Sequence, residues 1–209
     1  MSAALVSCRC GSIGNVDGIR FCAGHHRYWL NDRELSSVGK VIKTVFPTSY
    51  DGADPAVLEN ARVRGVLVDQ YFCQYLQLKP GEEFSVGTER QDVKDRLKAL
   101  IPWWERSELE VIATQEIVYS EADGIAGALD IRCSDGISEH VIDLKCVSEL
   151  KPAYALQLGA YLTYSNADCV GILHSTAKGV KLVSYDADRC RWWWQHAVDW
   201  YRTMQEIQA

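Results

Sequence analysis

Val141-Ile142-Asp143-Leu144-Lys145-Cys146 alternates strictly, so Asp143 and Lys145 share one face of a strand while Ile142, Leu144 and Cys146 share the other. It lies in the last of three consecutive strand-like runs, Leu109–Tyr119, Ile125–Cys133 and His140–Cys146. The turn-rich segments Ser120–Gly124 and Ser134–Gly136 between them are short enough only for hairpins, and an antiparallel meander is predicted. Upstream, Arg27–Leu30, the turn-former Asn31-Asp32 and Glu34–Ser36 read as a hairpin, followed by a short helix from Ser37 to about Phe46. Asp54-Pro55 opens a helix to about Leu78, and Thr88 with Gln91 resembles a capping box for another, which Pro102 ends or kinks. Downstream come a helix from Pro152 to about Ser165, short strands at Cys169–His174 and Val180–Tyr185, and a final helix from about Ala187. Trp193, Ala197, Trp200 and Met204 are expected to form the apolar stripe of that helix, Trp192 to Trp194 and Trp200 being alternatively read as a surface for stacking bases. Trp103-Trp104 is expected to pack in the same way or to edge a nucleic-acid surface. Helices, three strands, helix, two strands, helix make an α+β fold, a mixed α/β sandwich.

The chain is 209 residues long, 47% hydrophobic and 24% charged, which is ordinary for one globular domain and excludes disordered, collagen-like and coiled-coil classes. No apolar run reaches the roughly 18 residues of a membrane span, and Met1–Ser7 has neither the basic start nor the apolar length of a signal peptide. A soluble, cytoplasmic protein, in the host cytoplasm if viral, is expected, with no membrane partner. A net charge of −6 argues against nonspecific coating of nucleic acid, though not against an enzyme that brings its own cations to a carboxylate site. Of eight cysteines, five (Cys73, Cys133, Cys146, Cys169, Cys190) stand singly in apolar stretches and are expected to be buried thiols.

Each of the three central strands carries one acid: Glu116 in Thr114-Gln115-Glu116-Ile117-Val118, Asp130 in Gly127-Ala128-Leu129-Asp130-Ile131, and Asp143. Like charges facing across strands destabilise a sheet unless a cation lies between them, so convergence on a divalent ion competes with a plain surface ladder. After them, Gln157 and Tyr161 are spaced i,i+4 on one helix face.

Gly127-x-x-Asp130, Asp143-x-Lys145 and Gln157-x-x-x-Tyr161, with Glu116 upstream, resemble the PD-(D/E)XK nuclease superfamily, in particular its RecB-like branch of phage and recombination exonucleases. The matched core spans about Glu116 to Tyr161, with a looser likeness over Arg27–Gln77. The resemblance implies a restriction-endonuclease-like core, a central mixed sheet flanked by helices. It implies that Asp130 and Asp143 bind Mg²⁺ or Mn²⁺, that Lys145 positions or activates the attacking water, and that Gln157 and Tyr161 border the site. Asp69, in Arg64-Gly65-Val66-Leu67-Val68-Asp69, stands where the family usually has a metal-binding histidine; it is either a further oxygen ligand or the partner of a base such as Arg64. The implied activity is a metal-dependent deoxyribonuclease, an exonuclease in recombination, repair or phage DNA processing, with DNA and a recombination or single-strand-binding protein as partners. A structure-specific or restriction-like endonuclease would use the same site, and a catalytically vestigial DNA-binding module is the reading from another class.

Residues 1–26 hold Cys8-x-Cys10 and, eleven residues on, Cys22-x-x-His25, a set with the spacing of small zinc modules. With four glycines and no sustained periodicity they read as an irregular zinc-binding appendage to a nuclease domain at 27–209. His26 in place of His25, plain reduced thiols, and an iron–sulfur cluster are the alternatives. Iron–sulfur members of the branch keep most of their cysteines after the nuclease core, where this chain has Cys190 alone.

Overall fold

The computed structural model describes residues 13–16, 18–22, 25–47 and 54–208. Among them the strands are β1 (Ile13–Val16), β2 (Ile19–Cys22), β3 (Arg27–Leu30), β4 (Arg33–Ser37), β5 (Glu110–Ser120), β6 (Ile125–Ser134), β7 (Glu139–Lys145), β8 (Cys169–Thr176) and β9 (Gly179–Tyr185). The helices are α1 (Val38–Val45), α2 (Pro55–Leu76), α3 (Gln91–Glu105), α4 (Ala153–Ser165) and α5 (Ala187–Gln208). All nine described strands belong to one mixed sheet, and the α+β class expected from the element order holds.

The predicted meander forms: β5, β6 and β7 pair antiparallel in sequence order. The α4 crossover returns the chain so that β8 lies parallel to β7, and β9 closes this end as an antiparallel hairpin. At the other end β4 runs parallel to β6, with β3, β2 and β1 added outward. Residues 13–16 and 19–22 are thus sheet strands where the sequence predicts irregular chain. Their turn is read with hindsight in Gly18, whose φ of +80° suits a tight hairpin and has no side chain to strain.

One feature of β6 positions everything that follows. β5 occupies one edge of it from Ile125 to Ser134. The opposite edge is divided: β4 pairs at Ile125 and Ala126, and β7 pairs from Ile131 to Ser134. Between these two ladders, Gly127 to Asp130 face a fork. A Cβ on Gly127 would lie 2.9 Å from both Tyr161 Cε1 and Val38 Cγ2, so glycine lets α1 and α4 close over the fork without displacing either side chain.

Helices cover both faces. Val41, Leu158, Leu162, Trp194 and Val198 of α1, α4 and α5 pack on Leu129, Val141 and Ile172. Val68, Phe72, Leu97, Leu100 and Trp104 of α2 and α3 pack on Ile131, Ile142, Leu144 and Leu173. The caps of α1 and α2 are legible in sequence: Ser37 Oγ accepts from Lys40 N at 3.1 Å, and Asp54 Oδ1 from Ala56 N at 2.8 Å.

Three local expectations need correction. No capping box opens α3; Thr88 Oγ1 accepts from Arg90 N, Arg90 is the cap residue, and Gln91 bonds Asp95 instead. Of the two outcomes expected at Pro102, the helix does not end there: Pro102 lies within α3, which continues to Glu105, and the carbonyl four residues back belongs to exposed Lys98 and is not trapped in the core. On α5 the buried stripe is Cys190, Trp194, Ala197, Val198 and Tyr201, offset from the predicted one, and Trp192 and Trp200 are 58% and 53% exposed. The register was decided by Gly159 of α4, which admits Cys190 and Trp194 at close range. Of the five cysteines expected in the core, Cys73, Cys133, Cys146 and Cys190 are buried and Cys169 is half-buried.

Candidate active site

The fork brings Asp130 and Asp143 together. One step beyond the Ile131–Ile142 pair the β6–β7 ladder ends, and there Asp130 Oδ2 accepts the Leu144 N–H at 2.8 Å, a side chain serving where the neighbouring strand no longer does. Asp143 is 1% exposed, and its Oδ2 lies 2.5 Å from Lys145 Nζ, the two-residue spacing placing both on one face as the alternation predicts. Asp143 Oδ1 is buried and accepts no hydrogen bond from the described residues.

Asp69 approaches from α2. Its Oδ2 accepts from Gln115 Nε2 at 3.0 Å, and its Oδ1 receives the Cys73 thiol at 3.6 Å. The alternative that Asp69 pairs with Arg64 is not met; Arg64 turns toward Asp92, 3.8 Å away. Gln115 is a contributor that sequence reading passed over in favour of its neighbour Glu116. It holds φ +52° in the middle of β5, a left-handed conformation uncommon for a residue with a Cβ, and this twist turns its amide toward Asp69 and Cys73. Composition carries no signal for that; only backbone conformation does.

Glu116, by contrast, does not join the cluster. Arg132 grips it with two bonds at 2.8 and 3.0 Å and reaches Glu139 with its remaining amine, an ion-pair ladder across β5, β6 and β7. Gln157 and Tyr161 do meet: Gln157 Nε2 donates to Tyr161 Oη at 3.0 Å, and the Tyr161 ring packs beside Gly127. Cys22 Sγ and His25 Nδ1 lie 3.3 Å apart, whereas Cys8 and Cys10 fall outside the described residues.

The electrostatics of the cluster follow from crowding three acids, one buried and two half-buried, around one ammonium. Burial, then repulsion by Asp143 and Asp69, pushes Asp130 well above the ordinary carboxylate range. Asp69 is raised to about 6, chiefly by burial and further by Asp143, against relief from Cys73, Lys145 and Gln115. Burial presses the Lys145 ammonium down, but Asp143 and Asp130 outweigh it and hold its affinity for the proton above that of a free lysine. Tyr161 is raised by burial and by the same two aspartates, which keeps the phenol protonated.

Asp69, Asp130 and Lys145 open into a cleft of about 1380 Å³ between α2, the chain after β7 and the β8–β9 turn. Six basic side chains line it (Arg62, Arg64, Arg96, Lys145, Lys151, Lys178) against three acids, Asp69, Asp130 and Glu149. On a chain of net charge −6, the cleft carries the opposite sign.

Among the described residues, no three His, Cys, Asp or Glu side chains are closed around an ion-sized space. The chemistry of the donors nevertheless suits a hard divalent cation: carboxylate oxygens only, Asp143 Oδ1 without a partner, and two raised acids whose repulsion a cation would relieve.

No family model matches the chain, and no curated protein matches it. Among solved structures, the chain is similar to an alkaline exonuclease, LHK-Exo, from Laribacter hongkongensis, at 11% identity and a TM-score of 0.47, over 83% of this chain and 89% of that one. The same enzyme in complex with dAMP matches at 10% identity with the same coverage and TM-score. No helix among the described residues is long and apolar enough to cross a membrane.

Proposed function

We propose that the chain is a metal-dependent nuclease of the PD-(D/E)XK type that hydrolyses phosphodiester bonds in DNA, acting as an exonuclease. The observation that carries the reading is the junction of three carboxylates, Asp143 buried and Asp69 and Asp130 half-buried, and one ammonium with a cationic cleft in an acidic protein. A polyanion is drawn into such a cleft, and a phosphodiester oxygen then meets Lys145, the ammonium nearest the acids. Asp130 and Asp143 would hold Mg²⁺ or Mn²⁺, with Asp69 as third donor; a cation there supplies Lewis-acid polarisation of the phosphoryl oxygen and a water made more acidic. Lys145, held protonated by Asp143 and Asp130, would orient or activate the attacking water or balance developing phosphoryl charge. Gln115 and Cys73 hold Asp69 in place, while Tyr161, fixed by Gln157, walls the fork from the α4 side.

Purified protein is expected to degrade linear duplex or single-stranded DNA with Mg²⁺ or Mn²⁺, to stop in EDTA, and to spare a closed circle. Cleavage of the circle would move the assignment to an endonuclease. Cleavage undiminished by EDTA, or none of DNA or RNA with either ion, would refute the reading.

The proposal extends to residues 1–26 as a zinc-bearing appendage of a nuclease domain at 27–209, with Cys8, Cys10, Cys22 and His25 as ligands. The pairing of Cys22 and His25 is its support. Untagged protein should hold close to one zinc per chain that survives exchange of the catalytic ion, and Cys22→Ser should lose it. Equal zinc in both proteins, or none in the parent, rules the assignment out.

A further inference from the structure

Beside the cleft, at the β8–β9 hairpin, lies a second recess of about 370 Å³ whose walls include Ser148, His174, Thr176, Lys178 and Lys181. Ser148, Thr176 and Lys178 line both hollows, so the recess continues the cleft. Strand register sets its position: Lys145 stands opposite His174, and His174 opposite Lys181, a row across β7, β8 and β9. His174 is 6% exposed, and its Nε2 donates to the Val147 carbonyl oxygen at 2.8 Å, which ties down the chain after β7 and fixes the approach of Ser148. The hairpin tip is held as well, since Thr176 Oγ1 accepts the Lys178 N–H at 3.1 Å and donates to the Gly179 carbonyl at 3.3 Å. Lys178 and Lys181 are exposed, and neither is in an ion pair among the described residues. No acid lines the recess, although acids outnumber bases 28 to 22 over the chain, and Glu149 beside Ser148 lines the main cleft alone. Two ammoniums on one hollow repel each other unless an anion sits between them.

We propose that Ser148, Lys178 and Lys181 bind an internal phosphodiester of a single DNA strand, at a backbone site outside the acidic cluster. The choice of occupant rests on the nuclease reading. The row from Lys145 to Lys181 covers two strand spacings, about 9–10 Å, so a strand with one phosphate at Lys145 brings another, a nucleotide or two along, to the recess. A hollow of this volume admits one strand and not a duplex. Lysines act there as mobile point charges, which suits a backbone contact that reads no base.

The test is binding of a fluorescein-labelled oligothymidylate to the full-length protein in EDTA, followed by anisotropy, beside lysine acetylation read by mass spectrometry. Replacing both lysines, Lys178→Gln with Lys181→Gln, should raise the dissociation constant about ten-fold and reduce the salt slope by about one. The charge-preserving pair, Lys178→Arg with Lys181→Arg, should bind close to the parent. Lys43→Gln removes an exposed charge from α1 that lines neither hollow, and should leave binding unchanged. Saturating oligonucleotide should protect Lys178 and Lys181 from acetylation and leave Lys43 reactive. A glutamine pair that binds like the parent, an equal loss in the arginine pair or in Lys43→Gln, or no protection at either lysine overturns the site. Protection without cleavage of any nucleic acid in Mg²⁺ or Mn²⁺ would sink the nuclease reading and keep the site; cleavage with both lysines still reactive would do the reverse.

Discussion

Asp143→Asn and Lys145→Met should each lower phosphodiester hydrolysis by at least about 100-fold, since each removes charge aimed at the transition state. Their stabilities should differ. Asparagine at 143 removes one of three mutually repelling acids, so what it loses against Lys145 is offset by what Asp69 and Asp130 gain. Methionine at 145 removes the only ammonium in the group and leaves Asp143, 1% exposed, as a buried carboxylate without its partner. The cost expected in EDTA is about 3–5 kcal/mol, part of it restored by Mg²⁺. Thermal melts with and without the ion, beside rates on end-labelled DNA, check both statements. Rates within a few-fold of the parent would show the site to be misplaced, and a Lys145→Met melt equal to that of Asp143→Asn would show that the ammonium is not what holds the acids together.

The second large effect lies in the scaffold. A Cβ on Gly159 would stand 2.2 Å from the Cys190 carbonyl oxygen and 2.9 Å from Trp194 Cβ, where the obstacle is the α5 backbone and not a movable side-chain end. Gly159→Ala should therefore cost about 3 kcal/mol or more, forcing α4 and α5 apart. Because Gly159 sits between Gln157 and Tyr161 on α4, activity should fall with it. Gly65→Ala is the matched control: nothing lies within 4 Å of its Cβ position on α2, and helix propensity should leave it neutral or stabilised by up to about 1 kcal/mol. Chemical denaturation of the two variants decides the matter; a cost under about 1 kcal/mol at Gly159 would mean the helices do not pack this tightly.

Much of this was legible in the sequence because it rests on local periodicity and stereochemistry. Alternation in 141–146 placed Asp143 and Lys145 side by side, short turns dictated the meander, and Asp54 and Ser37 announced their helices. What stayed hidden depends on pairings distant in the chain or on backbone angles. Glu116 looked like a third ligand because nothing local shows that Arg132, opposite on β6, holds it. Gln115 enters through a positive φ that composition does not encode. The α5 stripe slipped because a tryptophan-rich helix offers two apolar faces, and Gly159 on a different helix selects between them.

The fork in β6 has a consequence for tolerance to change. Sliding β7 by one residue would turn Asp143 toward α2 and Leu144 toward α4, exchanging a carboxylate for an apolar side chain in each layer. Such slippage is opposed on both edges of β7, which pairs antiparallel with β6 on one side and parallel with β8 on the other. The spacing between Asp130 and Asp143 is thereby set by strand alignment more than by rotamer choice. Apart from the close-packed glycines at 127 and 159, side chains of the helical layers can change with less effect on that spacing than a shift of strand register would have.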